Sequence, residues 1–581
     1  MSHAFQAVAI DYDGTLTNGR DDQPSEDALA AVEAARRAGL RVILVTGRIL
    51  EELRSVFPSV DAWFDALVAE NGAVLSIEGV ARTLAAPVEF ELDEALVARG
   101  VAFRRGQVLL ATQAAHEPAV WDGIRALGLE CQLSRNRSEL MVLPTGVSKG
   151  SGVAEALADL GVSPHSAVAI GDGENDHALL RSCEIGVAVA NAVPGLRRHA
   201  DVVLEKQAGA GVAEFLTGAI LRGEEGVVPR RWRVELGRDA DGALVTIPSA
   251  RVNLLVTGRS KSGKSFFAGM LAERLIGLGY SLCIIDPHGD YASLAPLRGV
   301  LGIGNPDGLP LTERVGRIVE HRFGSVLVDL TSLPEEDARC AYLEKLLRQL
   351  DAEQRTTGLP HWILWDEAHS HEGDSIALLE RLRSPVGGCC LVTYRPQDLP
   401  EAARAEFDYV VALLGGKHAA AGEGPDPLDA LATLYSVALD ESDAQEGDAI
   451  LFRPDAPHAP QRFRMGARRS PHVRHWRKYR LARLPADKRF QFRNEAGALR
   501  SVAANVQELH QTLRTCDASV LRNHVQRRDL SRWLSDAIQD DQLANDVRTL
   551  EREFAQSSRD DGQLQRFRDA AERAIERRYI D

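Results

Sequence analysis

Disulfide chemistry has little to work with in this chain. Its 581 residues hold seven cysteines, Cys131, Cys183, Cys283, Cys340, Cys389, Cys390 and Cys516, odd in number, scattered and never in Cys-x-x-Cys spacing. Neither a disulfide framework nor a structural zinc site is expected. Long apolar runs are missing too. None reaches the roughly 18 residues of a membrane span, and residues 1–10 run straight into a strand, so a cytoplasmic, reducing setting without membrane contact is expected. Positive charge is in deficit: the formal net charge is −15, which argues against a protein that coats nucleic acid, although local basic patches can still meet phosphates. The length predicts three or more domains, each able to bury its own core.

The middle of the chain carries the apolar run Leu254-Leu255-Val256 leading into Gly258-Arg259-Ser260-Lys261-Ser262-Gly263-Lys264-Ser265, then an apolar helix from Phe266 to Leu275. Gly-x-x-x-x-Gly-Lys-Ser between strand and helix is a phosphate-binding loop. Its backbone N–H groups wrap a polyphosphate, Lys264 reaches the β/γ phosphates and Ser265 holds Mg²⁺ at the helix N-terminus. Two further apolar strands end in acids, one at Asp286 and one at Asp366-Glu367. Asp366 is placed to order the Mg²⁺ shell and Glu367 to polarise an attacking water, which reads as an ATP-hydrolysing engine.

At the N-terminus, strand Ala7 to Ile10 delivers Asp11-Tyr12-Asp13-Gly14 at its C-terminal edge, where open α/β sheets bind ligands. Carboxylates one residue apart suit a nucleophile, Asp11, and an acid/base, Asp13, around one phosphoryl group. A helix over 25–38, a strand over 40–45 ending in Thr46-Gly47-Arg48, then Lys149, and strand 167–170 ending in Gly171-Asp172 with Asn175-Asp176 follow in order. This ordered set resembles the haloacid dehalogenase (HAD) phosphatase superfamily. The resemblance implies that Asp11 attacks phosphorus, Asp13 protonates the leaving alcohol, Thr46 and Lys149 bind phosphoryl oxygens, and Asp172 and Asp176 join Asp11 and Asp13 around Mg²⁺. Electrostatics asks for the same layout, because a carboxylate attacking a phosphate dianion needs cations nearby. Asn71-Gly72, ending strand 66–69, resembles the substrate-side loop of the Cof-like, capped branch, with Gly47, Arg48 and Asn175 beside it. The cap would span about residues 77–143, and its Arg104, Arg105, Arg135 and Arg137 either select an anionic substrate or are solvated surface charges.

The phosphate loop paired with Asp286-Pro-His-Gly-Asp290 resembles the HerA/FtsK branch of P-loop ATPases, which implies ATP, Mg²⁺ and a homo-oligomeric ring such as a hexamer. Tyr394 stands at the γ-phosphate-sensing position where that branch commonly has Gln, and Lys261 stands where it commonly has Gly, which favours nucleotide binding over fast turnover. From Gln461 to Arg493, twelve Lys/Arg residues face one acid, Asp487, which suits either DNA or docking on the acidic body of the same protein. Helices are expected over 506–513, 524–538 and 544–575.

The expected whole is an α/β multidomain enzyme. A HAD Rossmann-like domain with an α+β cap fills 1–218, a linker 219–229, a P-loop α/β ATPase domain 230–465, a basic segment 466–494 and a helical interaction domain 495–581. It would cleave a phosphate ester through a phospho-aspartate and bind or hydrolyse ATP, with DNA as a candidate partner. Two alternatives are a polynucleotide kinase-phosphatase-like end-processing enzyme and a small-molecule phosphatase regulated by a nucleotide-binding scaffold.

Overall fold

The computed structural model describes the chain except residues 1–4, 19–22, 223, 305–307, 321–323, 334, 369–374, 385–387, 417–424, 471–483, 485–487, 539, 559 and 581. Within the basic stretch, residues 471–483 and 485–487, among them Arg474, Arg477, Lys478 and Arg480, lie outside the described residues.

Two large sheets organise the rest. The first has eight strands among the described residues, in the spatial order Val202–Val203, Ile185–Ala188, Ala167–Gly171, Ala7–Asp11, Arg41–Val45, Ala66–Ala69, Val74–Ile77 and Val80–Thr83. Its first six strands are parallel. The central strands are buried on both faces, so they read as unbroken apolar runs rather than alternating ones. Ser25 caps helix Glu26–Arg37 by accepting from the Ala28 N–H, and Ser148 caps helix Lys149–Asp159, so Lys149 is that helix's first residue.

The cap is a four-stranded antiparallel sheet, Phe103–Arg105, Leu110–Gln113, Glu139–Pro144 and Cys131–Asn136. Helices Glu91–Ala98 and Glu117–Leu127 pack on it around Leu92, Leu96, Val120 and Ile124. Strand Val80–Thr83 still pairs with the core sheet, so the inserted lobe begins after it rather than at residue 77.

The second sheet has eleven strands among the described residues. Asn253–Gly258, which carries the phosphate loop, lies between Gly388–Thr393 and Tyr409–Leu413, parallel to both. The hairpin Arg233–Arg238 with Leu244–Pro248 joins at one edge through strand Ala456–Met465. Beyond it, hairpin Phe490–Arg493 with Leu499–Ala503 and a set of helices build a separate core around Phe492, Leu521, Trp533 and Phe567. The helix expected over 524–538 breaks at Arg528, which is left-handed at φ 56°. The one expected over 544–575 is two helices, Asp541–Gln556 and Asp561–Ile575, the second capped by the Asp560 side chain.

The two sheets meet at a buried polar joint. His165, just before strand Ala167–Gly171, stacks on Tyr280 at 3.8 Å between ring centroids. Its Nδ1 lies 2.6 Å from Glu184 Oε2, and its Nε2 2.9 Å from the carbonyl oxygen of Leu278. The Tyr280 hydroxyl donates to Glu184 at 3.0 Å; burial first, then the Glu184 charge, push its pKa well up, so it stays protonated as that donor. Arg231 fastens the same corner through Asp201 Oδ2 at 2.7 Å and the Glu184 carbonyl at 3.1 Å.

Candidate active sites

At the C-terminal edge of the first sheet, parallel register sets Asp11 opposite Val45 and Ile10 opposite Ile170. Asp11, Thr46 and Asp172 therefore leave adjacent strand ends together, and all three are buried. Lys149 enters from its helix, only 1% exposed, with Nζ 2.6 Å from Asp11 Oδ1 and 2.7 Å from Asp176 Oδ1. Thr15 Oγ1 donates to Asp11 Oδ2 at 3.0 Å. Asp176 Oδ2 accepts the backbone N–H groups of Asp172 and Gly173 at 2.9 and 2.8 Å, which shapes the loop between them.

Charge explains the proton affinities. Burial, then the neighbouring Asp176, raise Asp11 well above the usual carboxylate range although Lys149 opposes them. Asp172 is raised for the same two reasons. Burial works against the Lys149 charge, but the Asp11 and Asp176 carboxylates outweigh it and hold its pKa above the ordinary lysine value. Ligand atoms of Asp11, Asp172 and Asp176 all lie within 4.8 Å of one another. An all-oxygen, buried, mutually repelling set of this kind fits a hard divalent cation such as Mg²⁺. The Asp13 carboxylate, expected in the metal set, is instead turned to Arg48, which grips it at 2.6 to 3.1 Å. Gly14 at φ 84° has no room for a side chain: a Cβ there would stand 2.4 Å from Asp172 Oδ2.

The substrate-side loop is strained. Glu70 and Asn71 are both left-handed, at φ 51° and 55°, and Gly72 abuts the Ser148 carbonyl so closely that a Cβ would fall 1.9 Å from it. Asn175 Nδ2 donates to Asn71 Oδ1 at 2.9 Å, beside an open cavity of about 580 Å³ lined also by Ser134, Glu174, His177 and Arg181. Gly47 sits under Met141 of the cap.

At the second sheet, Gly258 to Ser265 wrap the N-terminus of helix Lys264–Gly277. Lys264 Nζ donates to the carbonyls of Gly258 and Arg259, both at 2.9 Å. Arg259 is buried and held by Asp426 at 2.6 Å and Glu441 at 2.6 Å. Lys261 is left-handed at φ 66°. Ser265 Oγ donates to Asp366 Oδ2 at 3.1 Å, and the Tyr291 hydroxyl donates to the same oxygen at 2.8 Å. Burial raises the Asp366 pKa. Glu367 follows at φ 55°, its N–H bonded to Asp366 Oδ1. Asp286 accepts the N–H groups of residues 288 to 291 and so holds the turn. Ser260, Ser262 and Gly263 complete the loop, and the Tyr394 ring lies 6.0 Å from Lys264 Nζ.

Comparison with known proteins finds a match for each of the two large domains. Residues 8–90 and 130–216 match the haloacid dehalogenase-like hydrolase family. A phosphoglycolate phosphatase from Methanothermobacter thermautotrophicus is 32% identical over 217 residues, covering 36% of this chain and 96% of that protein. The chain belongs to the haloacid dehalogenase-like hydrolases. A phosphoglycolate phosphatase from Pyrobaculum aerophilum is likewise 32% identical, over 36% of this chain and 94% of its own length. A solved haloacid dehalogenase-like hydrolase from B. subtilis is 19% identical with a TM-score of 0.31, over 36% of this chain and 98% of that one. Residues 251–363 match the central domain of helicase HerA, so this haloacid dehalogenase-like phosphatase domain is fused to a HerA-type ATPase domain.

Three residues of the haloacid dehalogenase-like domain escape sequence reasoning. Thr15 sits in a loop where its type carries no signal. Asn191 anchors the Gly14 carbonyl from 177 positions away. Glu70 is fully buried and accepts from the N–H groups of Gln107, Val108 and Leu109 at 2.8 to 3.1 Å, tying the substrate-side loop to the cap. Only its place before Asn71-Gly72 hinted at it.

Proposed function

We propose that residues 1–218 hydrolyse a small phosphate monoester through a phospho-aspartate on Asp11, and that residues 230–465 bind and hydrolyse ATP. The observation that carries the first half is the buried Lys149 bridging Asp11 and Asp176 inside a three-carboxylate cluster. Asp11 attacks phosphorus and the ester P–O bond breaks. Asp13 gives its proton to the leaving oxygen, then takes one from the water that attacks the phospho-aspartate. Thr46 and Lys149 hold the phosphoryl oxygens, with Gly47, Arg48, Asn71, Gly72 and Asn175 around the substrate. Asp11, Asp172 and Asp176 would hold Mg²⁺, whose charge would offset repulsion between carboxylate and phosphate. Because curated relatives carry the name phosphoglycolate phosphatase, 2-phosphoglycolate is the first substrate to test. Asp11→Asn should abolish phosphate release in the full chain; full activity in that variant on every ester the wild type cleaves would sink the assignment.

In the ATPase domain, the backbone of Gly258 to Ser265 wraps the phosphates, and Lys264 exchanges its two carbonyl partners for phosphate oxygens. Ser265 and Asp366, already hydrogen-bonded, are the Mg²⁺ partners, and Glu367 polarises water. Assembly into a ring is part of this reading, tested by light scattering with and without ATP. A strict monomer that binds no nucleotide at millimolar concentration would refute it. The start of the basic stretch supports docking on the protein's own body: buried Glu273 accepts from the backbone N–H groups of Arg469 and Ser470 at 2.7 and 3.1 Å and pairs with Arg468 at 3.1 Å. DNA binding by the remaining basic residues is the second reading, motivated by their number.

A further inference from the structure

The four cap arginines are not equivalent. Arg104 is engaged by Glu52 at 2.7 Å and Glu139 at 2.5 Å, Arg105 by Asp93 at 2.8 Å, and Arg135 by Glu117. The Arg104 pair with Glu52 ties the cap to the core helix Leu50–Val56, the others fasten cap surfaces, and none reaches the carboxylate cluster. Arg137 differs. It sits in the two-residue turn between strands Cys131–Asn136 and Glu139–Pro144, closed by the pairing of Asn136 with Glu139. There it is left-handed at φ 54°, a conformation that turns of this kind usually give to Gly or Asn. The turn carries its side chain down onto the core site. Nη2 lies 2.5 Å from Asp172 Oδ2 and is close enough to Gly14 that a Cβ on that glycine would meet it at 2.8 Å. Its side chain is 54% exposed, and Nε and Nη1 make no hydrogen bond among the described residues. Arg137 is thus a half-solvated guanidinium with spare donors, hung from the cap over the nucleophile loop.

We propose that Arg137 reads a second acidic group on the leaving side of the substrate, so that the site prefers phosphate esters of small carboxylic acids to esters of neutral alcohols. This rests on the phosphomonoesterase reading above. With the phosphoryl group at Asp11, an ester whose remainder extends toward the cap comes beside Arg137, which reaches from the cap to Asp172 and the Gly14 turn. A planar fork matches a carboxylate in two-point contact. Half exposure limits the gain, so the expected discrimination is that of charge-assisted hydrogen bonds, about 10- to 100-fold.

The test compares 2-phosphoglycolate with ethyl phosphate, which differ only in the carboxylate, on the Mg²⁺-supplied full chain. The wild type should favour phosphoglycolate in kcat/KM. In Arg137→Ala that ratio should collapse by about 10- to 100-fold, mainly through KM for phosphoglycolate, and Arg137→Lys should recover part of it by restoring charge without the fork. If both esters lose activity together and the ratio holds, Arg137 merely latches the cap to Asp172 and the proposal is overturned. A ratio unchanged in Arg137→Ala with normal rates overturns it equally. A wild type that releases no more phosphate than Asp11→Asn from either ester overturns the phosphatase reading itself.

Discussion

Removing Lys149 is the sharpest test of the phosphatase site. Lys149→Met keeps length and apolar stem but deletes the ammonium that stands 2.6 Å from Asp11 and 2.7 Å from Asp176, all three groups at most 3% exposed. Breaking a buried ion pair by removing one partner costs about 3–5 kcal/mol, because the other charge remains buried. The cost should depend on pH. The Asp11 pKa is raised in the folded chain, so stability at this position is full in acid and lost as pH rises through that raised value; without Lys149 the loss is larger. Lys149, with its own pKa raised, is charged throughout the range from pH 5 to 8 and adds no slope there. Hydrogen exchange of strand Ala7–Asp11 in the full chain reports this locally, whatever the other domains do. The metal-free variant should exchange roughly 10²- to 10⁴-fold faster at pH 8, with a smaller excess at pH 5, and added Mg²⁺ should slow it again. Wild-type exchange at pH 8, or a larger penalty at pH 5 than at pH 8, would refute the reasoning.

Other tests are independent of that one. Gly14→Ala places a Cβ against Asp172 in a left-handed position, and should weaken Mg²⁺ activation about tenfold or more while the far-ultraviolet circular dichroism stays unchanged. Lys264→Ala should abolish ATP binding measured by calorimetry and leave phosphate release from esters intact. The Glu273 carboxylate is buried, yet hydrogen bonds from Ser470 and the backbone of Arg469 and Ser470 pull its pKa below the usual value. Its grip on residues 468–470 should therefore hold above the ordinary glutamate range and fail as pH falls through the depressed value, and Glu273→Ala should expose Arg469 to limited trypsin digestion at pH 8. If the basic stretch binds DNA, the gel-shift affinity should fall steeply with salt, and replacing Arg474, Arg477, Lys478 and Arg480 with Ala should flatten that slope.

Much of this architecture was legible in the sequence because strand ends in parallel sheets repeat one pattern, an apolar run followed by a polar turn. Asp11, Thr46 and Asp172 were found that way and Lys149 by its place in the motif order ahead of a helix, and the folded chain gathers them in one place. What escaped was long-range or rotameric. Nothing local says that the Asp13 carboxylate pairs with Arg48 instead of joining the acid cluster. Arg137 looked like its three neighbours because the difference lies in how a turn aims one side chain. The hairpin Phe490–Arg493 with Leu499–Ala503 hid under a basic composition, although Phe490 and Phe492 alternate as a buried strand face should. The break at Arg528 was invisible because Arg is an ordinary helix former and only tertiary packing turns it left-handed.

The joint around Glu184 changes what it means for two enzymes to share a chain. A gene cut between residues 218 and 230 would not release two intact modules. One half would be left with the Glu184 carboxylate and His165 ring bare of Tyr280, and with the Glu184 carbonyl and Asp201 carboxylate bare of the Arg231 guanidinium; the other would present Tyr280 and Trp232 to water. Free-standing phosphatases could not be exchanged for this one by simple grafting, since the acceptor surface is cut to fit a particular acid and a particular imidazole. Activities measured on dissected halves would therefore describe damaged edges as much as native sites.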